Sequence, residues 1–257
     1  ETDYVFSDVR EVQRFPAAQL LVGCYPCQGY SQGGAREADR SVNYVFTEFG
    51  RALRTIRPKA FIVENVSGLT RADNVPLFNR QVRNFRQAGY RVSWKLRNAA
   101  NFGVAQDRQR IRIVGMRSDL GVTYCFPEPT HGPGAALPYR TIRNAIVGLP
   151  EWPEGEFNTE PFHWYYLARN RRRDWDETSK TIVSSARHMP LHPLSPPLVR
   201  KGPDHFEFAH DGQARRFSYR EAARLQGFGD LVFPDSCGMH TRYKVIGNAV
   251  PPPLFDA

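Results

Sequence analysis

Lysine is scarce in this chain. Lys59, Lys95, Lys180, Lys201 and Lys244 are the only five among 35 basic residues, so arginine supplies the other 30. Long apolar runs are missing too: none approaches the roughly 20 residues that a membrane-spanning helix needs. No basic stretch followed by an apolar one opens the chain, as a secretory leader would. The expectation is a soluble, intracellular protein without a membrane partner. Cysteine is limited to Cys24, Cys27, Cys125 and Cys237, too few for a disulfide framework. Cys24 and Cys27 form a single C-x-x-C, and no second Cys or His pair stands at ligand spacing, so no metal site is expected. A redoxin-like pair is disfavoured by the size of the chain. A lone nucleophilic thiol stays open.

What is present suits a folded enzyme-sized domain. Of 257 residues, 41% are hydrophobic and 24% charged, enough for one large domain or a domain with a smaller lobe. The net charge of +9 has two readings. An arginine-favouring codon bias is one; a nucleic-acid partner gripped by guanidinium groups is the other.

The first half alternates strand and helix patterns, as α/β sheet proteins do. Leu20-Leu21-Val22-Gly23 and Ala60-Phe61-Ile62-Val63 read as buried strands. Phe46, Phe49, Leu53 and Ile56 recur at helical spacing up to Pro58. Leu77, Phe78, Val82 and Phe85 form a second helix closed by Gly89. Tyr90, Val92, Trp94 and Leu96 alternate with polar residues, predicting a strand with that face buried. Ile111, Ile113 and Val114 predict another. After Ser118 prolines accumulate, and the basic run Arg169-Asn170-Arg171-Arg172-Arg173 lies between Trp164 and Trp175. Ser218 and Glu221 then form a capping box for a helix ended by Gly227.

In an open α/β sheet, ligands gather at the carboxyl ends of strands. Pro26-Cys27-Gln28 follows the first strand and Glu64-Asn65-Val66 ends the second. Gln106-Asp107-Arg108-Gln109-Arg110 precedes a third, bringing guanidinium groups near a thiol and a carboxylate. Taken singly, Cys27 suits a small buried hydrophobe and Glu64 a surface acid. The combination is harder to explain that way.

These segments resemble successive motifs of the DNA cytosine-5 methyltransferases. The set is Gly23-Cys24-Tyr25-Pro26-Cys27-Gln28, Glu64-Asn65-Val66, and Gln106 through Ile111. It continues with Arg220 through Phe228 and ends with Tyr243 through Pro251, in family order over nearly the whole chain. The resemblance implies a Rossmann-like α/β sheet that uses S-adenosylmethionine, with a small irregular target-recognition lobe. The catalytic domain would span 1–118 and 238–257, and the lobe 119–237. It implies a Cys27 thiolate that adds to C6 of a flipped-out cytosine, so that C5 takes the methyl group. Glu64 would hold the N3 and amino edge, Arg110 would bind O2, and Arg108 would support the thiol pocket and backbone. Asp8 would hydrogen-bond the adenine amino group. Pro26, Asn248, Ala249 and Val250 would line the cofactor's methyl-donor side. Gln28, Arg169, Arg171, Arg172 and Arg173 would meet double-stranded DNA, and the lobe resembles that of bacterial enzymes modifying GGCC. A companion restriction endonuclease and a monomer on DNA complete the expectation. Cys24 stands where the family usually carries Gly, and is expected to be a packing variant.

One departure lies at the front. The family's first strand, its Gly-rich Phe-x-Gly-x-Gly turn and the acid that binds ribose are not found before Asp8, which leaves the strand leading to Cys27 with an unpaired edge. The chain opens Glu1-Thr2-Asp3 and stops at Phe255-Asp256-Ala257, reading as part of a longer polypeptide. A catalytically incomplete DNA-binding relative is therefore the alternative, with a redox protein using Cys24 and Cys27 as a third reading. The redox reading leaves Glu64-Asn65-Val66 and Gly247-Asn248-Ala249-Val250 unexplained.

Overall fold

The computed structural model describes residues 2–26 and 44–256. They divide into two compact units. The first comprises residues up to Arg97 and Gln109–Phe126; the second holds Asn98–Arg108 and everything from Pro127 on.

The first unit is built on a four-stranded sheet in the order β1-β2-β4-β3. Its strands are β1 (Leu20–Gly23), β2 (Ala60–Val66), β3 (Tyr90–Asn98) and β4 (Gln109–Arg117). β1 runs parallel to β2 with Gly23 beside Val63, whereas β4 pairs antiparallel to β2 with Glu64 opposite Arg112. Helices α1 (Phe46–Ile56) and α2 (Val75–Gln87) supply the crossovers. Their apolar stripes turn Phe46, Leu53, Phe78 and Phe85 onto the sheet, where all four are buried. The centre is aromatic: Phe61 lies 5.1 Å from Phe85, 5.7 Å from Phe49 and 5.2 Å from Tyr90, ring to ring and edge-on. Such pairs add about 0.5–1.5 kcal/mol each beyond area burial. Gly115, opposite Phe61 in register, leaves the ring the space that a Cβ would fill.

Two strand expectations need amending. The face carrying Tyr90, Val92, Trp94 and Leu96 is buried only at its start: Tyr90 is 3% exposed, but Trp94 is 47% and Leu96 42% exposed. Buried Arg97 instead lies 5.5 Å from the ring of Phe126, so the far end of β3 is covered from its other face. β1 bonds only β2 among the described residues, and Leu20 and Val22 are about half exposed.

The second unit is less regular. It contains α3 (Ile142–Ile146), a hairpin of β5 (Leu198–Gly202) and β6 (His205–Phe208), and helices α4 (Tyr219–Gln226), α5 (Met239–Asn248) and α6 (Pro252–Asp256). α4 begins as its sequence dictates. The Ser218 hydroxyl accepts from the Glu221 amide, the Glu221 carboxylate accepts from the Ser218 amide, and Gly227 closes the helix at φ 92°. Ile142, Ile182, Phe217, Leu225, Tyr243 and Ile246 form the apolar core.

Charge threads this interior. Arg215 is 1% exposed and donates two parallel bonds, both 2.8 Å, to the equally buried Glu221. His192 stands 3.4 Å from the same carboxylate. Desolvation, then Arg215 and Arg172, hold its imidazole down from 6.5 to about 3. The compact division also departs from the expected segments: residues 98–108 and 238–256 fold with the second unit. The reason is packing, α5 against α4, together with hydrogen bonds that begin at Gln106 and Arg108.

Candidate functional site

In the first unit the two strand ends come together. Parallel register puts Gly23 beside Val63, so the next residues, Cys24 and Glu64, are neighbours. Glu64 also meets Arg110, which lies diagonally across the antiparallel ladder on the face shared with Arg112. The Arg110 Nε stands 3.0 Å from the Glu64 carboxylate, and both side chains are nearly buried. An acid and a guanidinium so placed present one acceptor and several donors at the sheet's carboxyl edge.

Cys24 answers the question of a second thiol. The residue as a whole is exposed, yet the surroundings of its sulfur and the adjacent Glu64 carboxylate push its pKa up to about 11. It is a neutral thiol near pH 7 and a poor nucleophile. Pro26 is exposed. Cys27 and Gln28 lie outside the described residues.

Asp8 sits in a turn fixed by α1: Arg51 donates to the Val9 and Val12 carbonyls, each at 2.8 Å. Arg10 grips the Asp8 carboxylate through its backbone and guanidinium, holding the acid down at about 2. Asp8 is therefore an ionised, exposed acceptor.

Arg108 belongs to the second unit and faces inward. It is 2% exposed, and its terminal nitrogens donate to the carbonyls of Ile182, Gly247 and Ala249 at 2.9–3.1 Å. The guanidinium thereby holds the turn that carries Asn248, Ala249 and Val250. Gly247 tolerates no Cβ because the Val183 and Ser184 backbone presses against it. Asn248 is exposed, and Ala249 and Val250 are half-buried.

The basic run separates into distinct parts. Arg172 donates to the Ser195 and Pro193 carbonyls and to Asp174, all at 2.8 Å. Arg173 pairs with Glu177 at 2.7 Å. Arg171 bonds the Tyr166 carbonyl and stacks 5.0 Å over its ring. Arg169 is exposed. Trp164 is 78% exposed, whereas Trp175 packs on the second core beside His192. Within the run, Arg172 is thus tied to the 193–195 turn and Asp174, whereas Arg169 is exposed.

The model of the C-5 cytosine-specific DNA methylases matches residues 2–257. The chain belongs to that family. It is 39% identical over 262 residues to the type II methyltransferase M.BsuRI of Bacillus subtilis, covering 97% of this chain and 60% of that protein. It is 36% identical over 255 residues to M.MthTI of Methanothermobacter thermautotrophicus, covering 92% and 76%. The chain spans about 60% of the length of the Bacillus relative. Among solved structures, a putative DNA modification methyltransferase encoded in an Escherichia coli prophage aligns with a TM-score of 0.64. That match has 19% identity and covers 92% of this chain and 76% of the other. The S. pombe Dnmt2 methyltransferase aligns at 0.60 and 16% identity, covering 91% and 74%. These likenesses establish the Rossmann-like methyltransferase fold.

Sequence reading did not anticipate the buried side chains behind the C-5 methylase motifs. Gln106 and Gln226 sit within recognised motifs, yet their mutual bond of 2.6 Å joins positions 120 residues apart. Glu221 reads as a helix cap and is also the counterion of buried Arg215. The clue was Arg215-Arg216 immediately ahead of the cap, where a solvated helix start has no need of two guanidinium groups.

Proposed function

We propose that the protein containing this chain methylates C5 of a cytosine in double-stranded DNA, with S-adenosylmethionine as methyl donor. The observation that carries the reading is the Glu64–Arg110 pair beside the segment leading to Cys27. The chemistry needs such a pair because cytosine C5 is a weak nucleophile. The Cys27 thiolate adds to C6, and negative charge then develops on the ring. Glu64 relieves it at N3 and the amino edge, and Arg110 stabilises O2. Loss of the C5 proton after methylation re-forms the double bond and expels the Cys27 thiolate.

The donor set suits the cofactor. Ionised Asp8 accepts from an adenine amino group, and the exposed Asn248 amide offers both a donor and an acceptor to the polar methionine end. S-adenosylmethionine, when bound, supplies an electrophilic methyl group. Beside Asn248, the half-buried Ala249 and Val250 offer apolar surface to that end.

We assign residues 119–237 to target recognition, with Gln28 and the 169–173 run on the DNA side and GGCC as the site. Arg169 is the member of the run open to guanine, with Arg171 and Arg173 beside it. The relatives bear the name type II methyltransferase, which supports a companion restriction endonuclease. A monomer acting on DNA in the cytoplasm fits this assignment.

The test uses the full-length protein and a duplex containing 5-fluorocytosine, which blocks release of the thiol. The wild type should form a denaturation-resistant adduct, lost in Cys27→Ala and retained in Cys24→Ala. An adduct that survives Cys27→Ala, or none in the wild type with cofactor present, would defeat the assignment.

A further inference from the structure

α5 ends in a turn whose inner side is closed by three buried side chains from elsewhere in the second unit. Gln106 and Gln226 are fully buried and Arg108 nearly so. The Gln226 Nε2 donates to the Ala249 carbonyl at 2.7 Å and reaches that of Ile246 at 3.3 Å. Arg108 takes the Gly247 carbonyl and shares that of Ala249. Three carbonyls at the end of the helix, which helix geometry leaves open, are therefore capped from within. The Ala249 amide donates back to Val245 and Ile246.

Gln106 fixes which way round Gln226 sits. Its Oε1 accepts from the Ile182 amide at 2.8 Å, so its Nε2 points at the Gln226 Oε1, 2.6 Å away. Gln226 must then turn its Nε2 toward the α5 carbonyls. An amide flip at either residue would set two donors or two acceptors face to face. Two apolar side chains would fill the same space but remove this donor, leaving the Ala249 carbonyl to Arg108 and the Ile246 carbonyl to the Ala249 amide, and so loosening the turn. With the Ile246, Gly247 and Ala249 carbonyls and the Ala249 amide all engaged inward, the exposed side chain of Asn248 is held on the outer side of this turn.

We propose that Gln106 and Gln226 are positioning residues for S-adenosylmethionine: their paired amides fix the turn so that Asn248 meets the methionine end of the cofactor. The inference rests on the reading of Asn248 as a cofactor residue and adds the two side chains that orient it. Both glutamines are fully buried and would act through the turn.

The experiment measures KM for S-adenosylmethionine, KM for DNA and kcat in the full-length protein. Gln226→Glu keeps the volume and the acceptor for Gln106 but removes the donor to Ile246 and Ala249. It should raise the cofactor KM by about tenfold while the DNA KM stays within about twofold. Gln106→Glu, which keeps the acceptor for the Ile182 amide, is the milder second variant and should move the cofactor KM in the same direction. An unchanged cofactor KM in folded Gln226→Glu would overturn the proposal. So would losses in every parameter that merely follow the folded fraction in thermal unfolding. Asn248→Ala separates the two layers. If it leaves the cofactor KM untouched, the reading of Asn248 itself fails; if it raises that KM while the glutamine variants do not, only the positioning role fails.

Discussion

Arg172 donates to two carbonyls of the 193–195 turn and to Asp174, whereas Arg169, three positions earlier, is exposed. The same side-chain chemistry therefore serves opposite ends. Arg172→Ala leaves the Pro193 and Ser195 carbonyls without their donors and should cost about 1–3 kcal/mol of stability. Arg169→Ala should leave stability within about 0.5 kcal/mol of the wild type and weaken binding to the preferred duplex by about fivefold or more. Thermal unfolding and DNA titration on the two variants check both halves. A variant of Arg169 that unfolds early, or one of Arg172 that only loosens DNA, would reverse the assignment. Nothing in the run Arg169-Asn170-Arg171-Arg172-Arg173 distinguishes these residues by sequence. The carbonyl partners of Arg172 lie more than twenty positions downstream, in a stretch without periodicity.

At the scale of elements, α4 illustrates one residue with two duties. Ser218 and Glu221 cap the helix reciprocally, and Glu221 also neutralises Arg215. The first duty is local and legible as S-x-x-E; the second is a tertiary pairing that no spacing rule reports. Their removal should differ in size. Ser218→Ala loses one cap bond, about 1 kcal/mol. Glu221→Ala loses the other cap bond and leaves Arg215 buried without its carboxylate, about 3–5 kcal/mol. Urea denaturation of the two variants measures the gap, and equal losses would mean that the Arg215 pair contributes nothing beyond the cap. The strands and helices of the first unit were legible for a plain reason: their apolar residues follow the period of the element and really face the core. β1, with Leu20 and Val22 about half exposed, and β3 are the exceptions. The alternation of β3 is regular, but at Trp94 and Leu96 the sheet face has no cover, and pattern alone does not say where a layer stops.

Across the whole molecule the two interiors differ in kind. The first centres on a phenylalanine and aliphatic cluster, with Arg97 and Arg112 buried at the sheet; the second buries Gln106, Arg108, His192, Arg215, Arg216 and Glu221 among its apolar residues. Acid should reach the second through His192. Its folded pKa of about 3 lies below the ordinary 6.5, so the unfolded chain binds the proton more readily. The stabilisation is complete above about pH 6.5 and is lost progressively as the pH falls toward 3. Urea midpoints measured at about pH 7.5, 6 and 4.5 should therefore fall less steeply in His192→Gln than in the wild type; parallel slopes would show that the imidazole is not the group responsible. The site had a similar division in legibility. Glu64 stands at a strand end, where an apolar run breaks into polar residues, and could be singled out from the chain. The inward role of Arg108 depends on carbonyls 74 and 139 positions away, and such bonds leave no mark on the neighbouring sequence.

The chain passes between its two compact units three times, and the eleven residues from Asn98 to Arg108 are a loan from the middle of a β-hairpin to the other unit's interior. The second unit is thus not a cassette. A recombinant that exchanged only residues 127–256 between relatives would import a turn shaped for one parent's Gln106 and Arg108 and seat it on the other's. Recombination is constrained accordingly: an exchange with both crossovers between α3 and α4 keeps the loaned segment and the turn it holds from one parent, whereas a single crossover there parts them. A crossover between residues 108 and 127 separates them, and any incompatibility would surface as a misfolded hybrid rather than as a new DNA preference.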